Sequence, residues 1–280
     1  MIPTGKAQLA GVIGWPIAHS RSPRLHGFWL DRLGIDGAYV PLAVRPDDLA
    51  LTLRLLPRLG FRGCNLTLPH KEAALGLVDT LSTRTVRIGA INTVIVGPDD
   101  KLTGDNTDGF GFIENLKAAG VDPAAGAAVV LGAGGGARAV VAALLDVGAP
   151  KVTVANRGAA RAKALARALG SKVTTVPWER RAEALAGAAL LVNTTSLGMT
   201  GQPPLEIDLA RLPLGAAVSD LVYVPLETPL LARAKARGLK SVDGLGMLLH
   251  QARPGFAAWF GREPEVTDEL RRFVLADPLA

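Results

Sequence analysis

AAVVLGAGGGARAVVAALLDVGAPKVTVANR, residues 127–157, reads as strand, glycine loop, helix and second strand. A short apolar run ends at Leu131, a glycine turn follows, and an Ala/Val/Leu run of helical length leads into the β-branched KVTVAN. Gly132, Gly134 and Ala137 form G-x-G-x-x-A in that turn, with Ala133, Gly135 and Gly136 between them. Positions without large side chains let the backbone turn sharply and approach a pyrophosphate, while the amides of the helix start face its negative charge. A glycine turn can also simply join a strand to a helix, so the loop by itself marks a candidate dinucleotide site.

The end of the second strand separates the two nicotinamide dinucleotides. A site for NAD places Asp or Glu there to bond the ribose 2′-hydroxyl. This chain has Asn156-Arg157 instead, with Arg161 one helical turn further on. An acid would repel a 2′-phosphate, whereas the two guanidinium groups offer it charge-assisted hydrogen bonds, so NADP is the expected cofactor. Arg161 also has a plain reading as a solvated helix residue.

Outward from this unit the alternation continues. LLVNTT and AAVSDLVY read as later strands, followed by a helix near residues 228–237 and a short strand at 240–242, which together predict a parallel sheet covered by helices. Upstream, QLAGVIG, GAYVPLAV, FRGCNLTL and GAINTVIV read as strands of a first α/β unit, with helices at 23–33 and 47–59 between them and another at 108–119. The final segments, GMLLHQARPGFAAWF and TDELRRFVL, are helical and come after the second sheet should be complete. No repeat, low-complexity tract or linker interrupts this order.

Composition agrees. At 280 residues and 49% hydrophobic the chain has ample core material, and its aromatic content of 5% suits short buried strands. The net charge of +6 comes from Arg and Lys scattered among Asp and Glu, without a basic run interleaved with aromatics, so nucleic acid is not an expected partner and small anions are. A single cysteine, Cys64, rules out an intrachain disulfide and a cysteine-rich metal site and fits a reducing compartment. The start lacks a signal-peptide pattern and no apolar run approaches the ~20 residues of a membrane span. The expectation is a cytoplasmic protein with no metal and no membrane contact.

Several loops carry candidate chemistry. In GWPIAHSRSPRLH, Ser22 precedes Pro23 and an apolar-periodic run, which predicts Ser22 as an N-cap. Ser20 and Ser22 together place two hydroxyls near a helix start, a ready site for a carboxylate, and His19 reads as a residue that orders the loop. Asn65-Leu66-Thr67-Leu68-Pro69-His70-Lys71 ends a strand and begins a helix, so Lys71 is expected near the positive end of a helix dipole. Taken alone it reads as a surface charge. Residues 89–93 (GAINT) and 104–109 (GDNTDG) concentrate Asn, Thr and Asp at the ends of apolar segments, where turns also use them.

Taken in order, GWPIAHSRSP, CNLTLPHK, GAINT, GDNTDG, GAGGGA, NR, DLVYVP and DGLGMLLHQA resemble successive motifs of the shikimate dehydrogenase family, over nearly the whole chain. The resemblance implies an α/β fold of two domains separated by an active-site cleft. One is an N-terminal α/β substrate domain of residues 1–107 completed by 244–280; the other is a Rossmann-type NADP-binding domain with a parallel sheet, residues 108–243. It implies reversible hydride transfer between NADPH and the ketone of 3-dehydroshikimate, giving shikimate on the chorismate route to aromatic amino acids, by a monomer or homodimer. Residue by residue, Ser20 and Ser22 match the family's carboxylate-binding serines, and Thr67, Asn92 and Gln251 match residues that bind ring hydroxyls. Tyr223 matches a further substrate-site residue and Met247 a cofactor contact, while Lys71 and Asp108 match the catalytic pair. The chemistry fits, because reducing a ketone develops negative charge on oxygen that an ammonium can stabilise and protonate. One departure stands out: the family often reads Asn-Arg-Thr where this chain reads Asn156-Arg157-Gly158, which removes a hydroxyl donor from the 2′-phosphate site. A quinate/shikimate dehydrogenase using NAD or NADP, and a non-catalytic metabolite binder on the same fold, are the alternatives.

Overall fold

A computed structural model describes residues 2–276. The chain divides into two compact units, Met1–Thr107 with Leu249–Ala280, and Asp108–Leu248. Position 1 and positions 277–280, which the expected substrate domain includes, lie outside the described residues.

The first unit is built on β1 (Gln8–Gly14), β2 (Gly37–Ala43), β3 (Phe61–Leu66), β4 (Thr80–Leu81), β5 (Thr93–Val96) and β6 (Leu102–Asp105), in the order β2-β1-β3-β5-β6-β4. β1 runs parallel to β2 and β3, whereas β5 is antiparallel to both β3 and β6. The sequence reading missed β6 because LTGD carries one apolar residue, a Gly and an Asp. The turn Gly97-Pro98-Asp99-Asp100 folds it back on β5, with the Gly97 amide donating to the Lys101 carbonyl at 2.8 Å. Two other expectations are corrected. The helix expected over 47–59 is only Leu49–Leu55, flanked by 3-10 turns, because Pro57 has no N–H to continue the ladder. In GAINTVIV, β5 begins only at Thr93.

One face of this sheet packs Ile13, Cys64, Leu66 and Val94 against Leu49, Leu53 and Leu56. Burial pushes the Cys64 thiol well above its ordinary range, so it acts as a small apolar residue. An aromatic cluster of His26, Trp29, Tyr39, Phe256 and Trp259 is also buried in this unit. The Trp259 indole donates to the Val94 carbonyl at 3.0 Å, and it can do so only over a glycine: a Cβ on Gly63 would lie 2.3 Å from Trp259 Nε1.

The second unit carries β7 (Ala128–Leu131), β8 (Val152–Asn156), β9 (Val173–Pro177), β10 (Leu190–Asn193), β11 (Ala217–Asp220) and β12 (Lys240–Val242). They form one parallel sheet in the order β12-β11-β10-β7-β8-β9, the doubly wound arrangement of dinucleotide-binding folds. Their apolar side chains are buried on both faces, as continuous runs such as VVL and LLV require. The strands expected at LLVNTT and AAVSDLVY end at Asn193 and Asp220, whose side chains accept the amides of Thr195 and Val222 and turn the chain out of the sheet. Among the described residues no helix is long and apolar enough to cross a membrane.

His26 gives the first unit a built-in acid sensitivity. Its ring stacks face to face on Tyr39 at 3.8 Å, both ring nitrogens lack a hydrogen-bond partner, and burial lowers its pKa from 6.5 to about 3. Between those values the unfolded chain binds a proton that the folded chain refuses, so folding stability is lost as pH falls through the window, at about 1.4 kcal/mol per pH unit. The volume-conserving variant His26→Leu is expected to lack this term. Denaturant midpoints from pH 7 to pH 3 should show wild type losing on the order of 4 kcal/mol relative to the variant; parallel curves would contradict a buried neutral imidazole.

Candidate functional site

In the second unit the chain leaves β7 toward β8 and β9 and later returns on the other side through β10, so the C-terminal ends of β7 and β10 form the topological switch point. A ligand crevice is expected there in such sheets. The glycine loop lies at this place. Gly132 has φ +111°, and a Cβ on it would sit 2.5 Å from Thr194 Oγ1, so the loop after β7 and the loop after β10 touch. Gly134 caps the helix Gly135–Asp146, and a Cβ there would meet nothing within 4 Å, which leaves the first amides of a three-turn helix accessible to an anion. Ala133 and Ala137 are buried against the sheet.

At the end of β8, Asn156 Nδ2 donates to the Gly158 carbonyl at 2.9 Å and shapes the turn, while Arg157 and Arg161 are exposed. No acidic side chain stands in this turn. Gly158 is the N-cap of the helix Ala159–Leu169 with φ −89°, so its lack of a side chain is not demanded by the backbone. Met247 is buried in the first turns of the helix Gly244–Phe260. That helix start packs closely on the loop after β11, since a Cβ on Gly244 would lie 2.3 Å from the Leu221 carbonyl oxygen. Tyr223, half-buried, lies in the same loop.

The first unit contains a buried array of amides and hydroxyls. Asn92 Nδ2 donates to Gln251 Oε1 at 3.1 Å and to Thr107 Oγ1 at 3.0 Å, and Asn92 Oδ1 accepts the Thr107 amide at 2.8 Å. Thr93 Oγ1 also donates to Asn92 Oδ1, at 2.9 Å. From there the chain of bonds runs through Asn65, whose Nδ2 donates to the Asn92 carbonyl at 3.0 Å, to Tyr39, whose phenol donates to Asn65 Oδ1 at 2.6 Å. A side-chain hydrogen bond joins Tyr39 to Ser22. Thus Ser22, Asn92 and Gln251, far apart in sequence, belong to one connected network. Tyr39 was not singled out in the sequence; Asn65, Thr93 and Thr107 stand in the polar segments noted there, without a role of their own.

Ser22 is not an N-cap. The helix Ser22–Arg32 begins at Ser22 itself, Arg21 occupies the cap without a side-chain bond, and Ser20 Oγ accepts the Ser22 amide at 3.3 Å. The two serines are therefore linked locally, with Ser20 supplying the acceptor. Lys71 is half-buried in a helix of four residues, His70–Ala73, too short to provide much of a dipole. This helix is held by its neighbours instead. His70 donates from Nε2 to the Val44 carbonyl at 2.9 Å, and the Lys71 carbonyl accepts the Ile91 amide at 2.7 Å. Burial lowers the His70 pKa, and its hydrogen bond opposes that only partly. Thr67 stands one turn before, its carbonyl accepting the His70 amide at 2.9 Å.

Asp108 is buried and opens the helix Asp108–Ala118 directly after Thr107. Asp105 anchors the approach to it. Burial alone would raise the Asp105 pKa, but hydrogen bonds from Arg84, from Ser82 Oγ at 2.6 Å and from the Asn106 amide at 2.8 Å hold it below the usual carboxylate range. Among the described residues no group of His, Cys, Asp and Glu side chains could hold a metal ion.

A doubly wound sheet with a glycine loop at its switch point, in a chain that also carries an α/β unit with a buried array of amides and hydroxyls, is the architecture of a dinucleotide-binding protein. Residues 12–94 match the family model described as shikimate dehydrogenase substrate binding domain, and residues 117–199 the model for shikimate / quinate 5-dehydrogenase. The shikimate dehydrogenase (NADP(+)) of Paramagnetospirillum magneticum is 61% identical over 275 residues, 98% of this chain and 100% of that relative. The chain belongs to the shikimate dehydrogenase family. Among solved structures, the shikimate 5-dehydrogenase of Thermus thermophilus in complex with NADP(H) and shikimate is 41% identical with a TM-score of 0.86, covering 96% of this chain and 98% of that one. The quinate dehydrogenase of Corynebacterium glutamicum in complex with NAD is 34% identical with a TM-score of 0.90, covering 96% and 99%.

Proposed function

We propose that this chain catalyses the reversible, NADP-dependent interconversion of shikimate and 3-dehydroshikimate, working physiologically as a reductase on the route to aromatic amino acids. The observation that carries this reading is the buried Asn92–Thr107–Gln251 array in a chain whose other unit presents a dinucleotide loop. An array of fixed donors and acceptors suits a ring bearing several hydroxyls, because a substrate lacking one would leave a buried polar group unpaired. Residues 1–107 with 244–280 form the substrate domain in this reading, and residues 108–243 the NADP domain.

The roles are those that the family resemblance implies. Ser20 and Ser22 bind the substrate carboxylate, while Thr67, Asn92, Gln251 and Tyr223 bind the ring. Lys71 stabilises the developing oxyanion and delivers its proton in the reduction; Asp108 orients Lys71 and bonds a substrate hydroxyl. Bound NADPH supplies the hydride. Residues 132–137 receive its pyrophosphate against the open helix amides, Met247 contacts the cofactor, and Asn156, Arg157 and Arg161 surround the 2′-phosphate.

Arg157 provides the test of cofactor choice. In reduction of 3-dehydroshikimate, Arg157→Ala should raise the KM for NADPH about tenfold, the equivalent of one charge-assisted hydrogen bond, and leave NADH turnover unchanged. An unchanged KM for NADPH would remove Arg157 from the site. Gly158 in place of a hydroxyl donor weakens the preference for NADP over NAD and leaves the catalytic pair intact, while the Ser20–Ser22 pair leans against quinate as the substrate.

A further inference from the structure

A carboxylate that the proposed chemistry does not use lies under the substrate and cofactor loops of the second unit. Asp220, the last residue of β11, is fully buried with no cation hydrogen-bonded to it. Three donors converge on it. Asn193 Nδ2 and the Val222 amide donate to Oδ1 at 2.9 and 3.1 Å, and the Thr228 hydroxyl donates to Oδ2 at 2.7 Å. Val222 and Thr228 bracket the loop that carries Tyr223, so one side chain ties down both ends of that loop. Thr228 in turn N-caps the helix Pro229–Ala236, accepting the Leu231 amide, and Gly244 at the start of the next helix rests on the Leu221 carbonyl.

The partner Asn193 extends the device to the other side of the crevice. Its Oδ1 accepts both the amide and the hydroxyl of Thr195, at 3.0 and 2.7 Å, and its Nδ2 also reaches the Leu197 carbonyl at 3.1 Å. The same loop sends Thr194 Oγ1 to the Leu131 carbonyl at 2.7 Å, beneath Gly132. The amide of Asn193 has no rotational freedom left, because its oxygen is committed to Thr195 and its nitrogen to Asp220. A buried carboxylate costs free energy, and burial raises the pKa of Asp220 to about 6 against the pull of its three donors. The carboxylate is the common acceptor of three donors from two loops, and an apolar residue in its place would leave all three unpaired, so its presence fixes the geometry of both loops.

We propose that Asp220 is a positioning residue for the substrate site, holding the loop 221–228 so that Tyr223 is presented to the substrate, with Asn193 coupling that loop to the one beside the glycine turn. This rests on the assignment of Tyr223 to the substrate site. The test is a double-mutant cycle of Asp220→Asn with Tyr223→Phe, read as KM for shikimate at saturating NADP. Asp220→Asn should raise that KM about tenfold in the wild-type background and less than twofold in the Tyr223→Phe background, with kcat falling far less. Equal effects in both backgrounds, or a loss confined to kcat and melting temperature, would overturn the positioning role. A silent Tyr223→Phe in an otherwise active enzyme would overturn the assignment of Tyr223, and the proposal with it. If Asp220→Asn does not fold, Thr228→Val removes one donor to the same carboxylate: its KM should rise in the same way, and Thr228→Ser should restore it. A Thr228→Val enzyme with wild-type KM would refute the proposal.

Discussion

Lys71→Ala is expected to lower turnover by about 10²–10⁴-fold, the range of a lost general acid acting on a developing alkoxide. The loss should fall on kcat and leave the KM for shikimate nearly unchanged, because the proposed ring-binding array of Asn92, Thr107 and Gln251 has no member in the short helix that carries Lys71. Folding should be spared as well. The bond from the His70 ring to the Val44 carbonyl and the bond from the Ile91 amide to the Lys71 carbonyl are both retained in the variant. Initial rates and thermal melts on the same preparation check both halves of the expectation. Near-normal turnover would remove Lys71 from the chemistry.

Gly132→Ala is expected to damage cofactor binding and stability together. The residue adopts φ +111°, which a side chain makes unfavourable by about 1–2 kcal/mol, and the new methyl would press on Thr194 Oγ1 from 2.5 Å. Relief requires Thr194 to leave its hydrogen bond with the Leu131 carbonyl. Both loops at the switch point would then shift. The KM for NADP should rise at least about tenfold, since small displacements of a binding loop are costly, and the melting temperature should drop. Gly134→Ala is the control for stability alone, because a Cβ there meets no protein atom within 4 Å and the φ of −87° is ordinary, whereas its place in the proposed pyrophosphate loop exposes NADP binding to the new methyl. Equal losses of melting temperature at the two positions would show that crowding against Thr194 is not the cause.

How much of this was legible in the sequence depends on the range of the interaction concerned. Most of the second sheet was readable because its central strands are apolar runs closed by turn signals, and the glycine loop lies at the one place where its strand order reverses, whereas the edge strand β9, VTTVP, was not read because two threonines break its apolar run. β6 was not, since LTGD becomes a strand only by pairing with β5, and no local pattern announces that partner. Ser22 shows the same limit at a single residue. Its proline neighbour marks the helix start, but the backbone of Arg21 is already helical, so the serine stands just inside the helix, a difference of one residue that the local sequence does not specify. The site residues came from motif resemblance, whereas their supports, Tyr39, Asn65, Thr107, Asn193 and Asp220, declare themselves only through long-range hydrogen bonds.

The reading as an NADP-dependent shikimate dehydrogenase meets its most direct test in four initial rates, followed by nicotinamide absorbance, with the purified protein and shikimate or quinate, each paired with NADP or NAD. Rapid oxidation of shikimate with NADP, well above the other three pairings, is the predicted result. Faster turnover of quinate, or equal rates with NAD, would contradict the assignment and place the chain with the quinate enzymes of its family; no turnover in any pairing by folded protein would contradict its being an enzyme of this reaction.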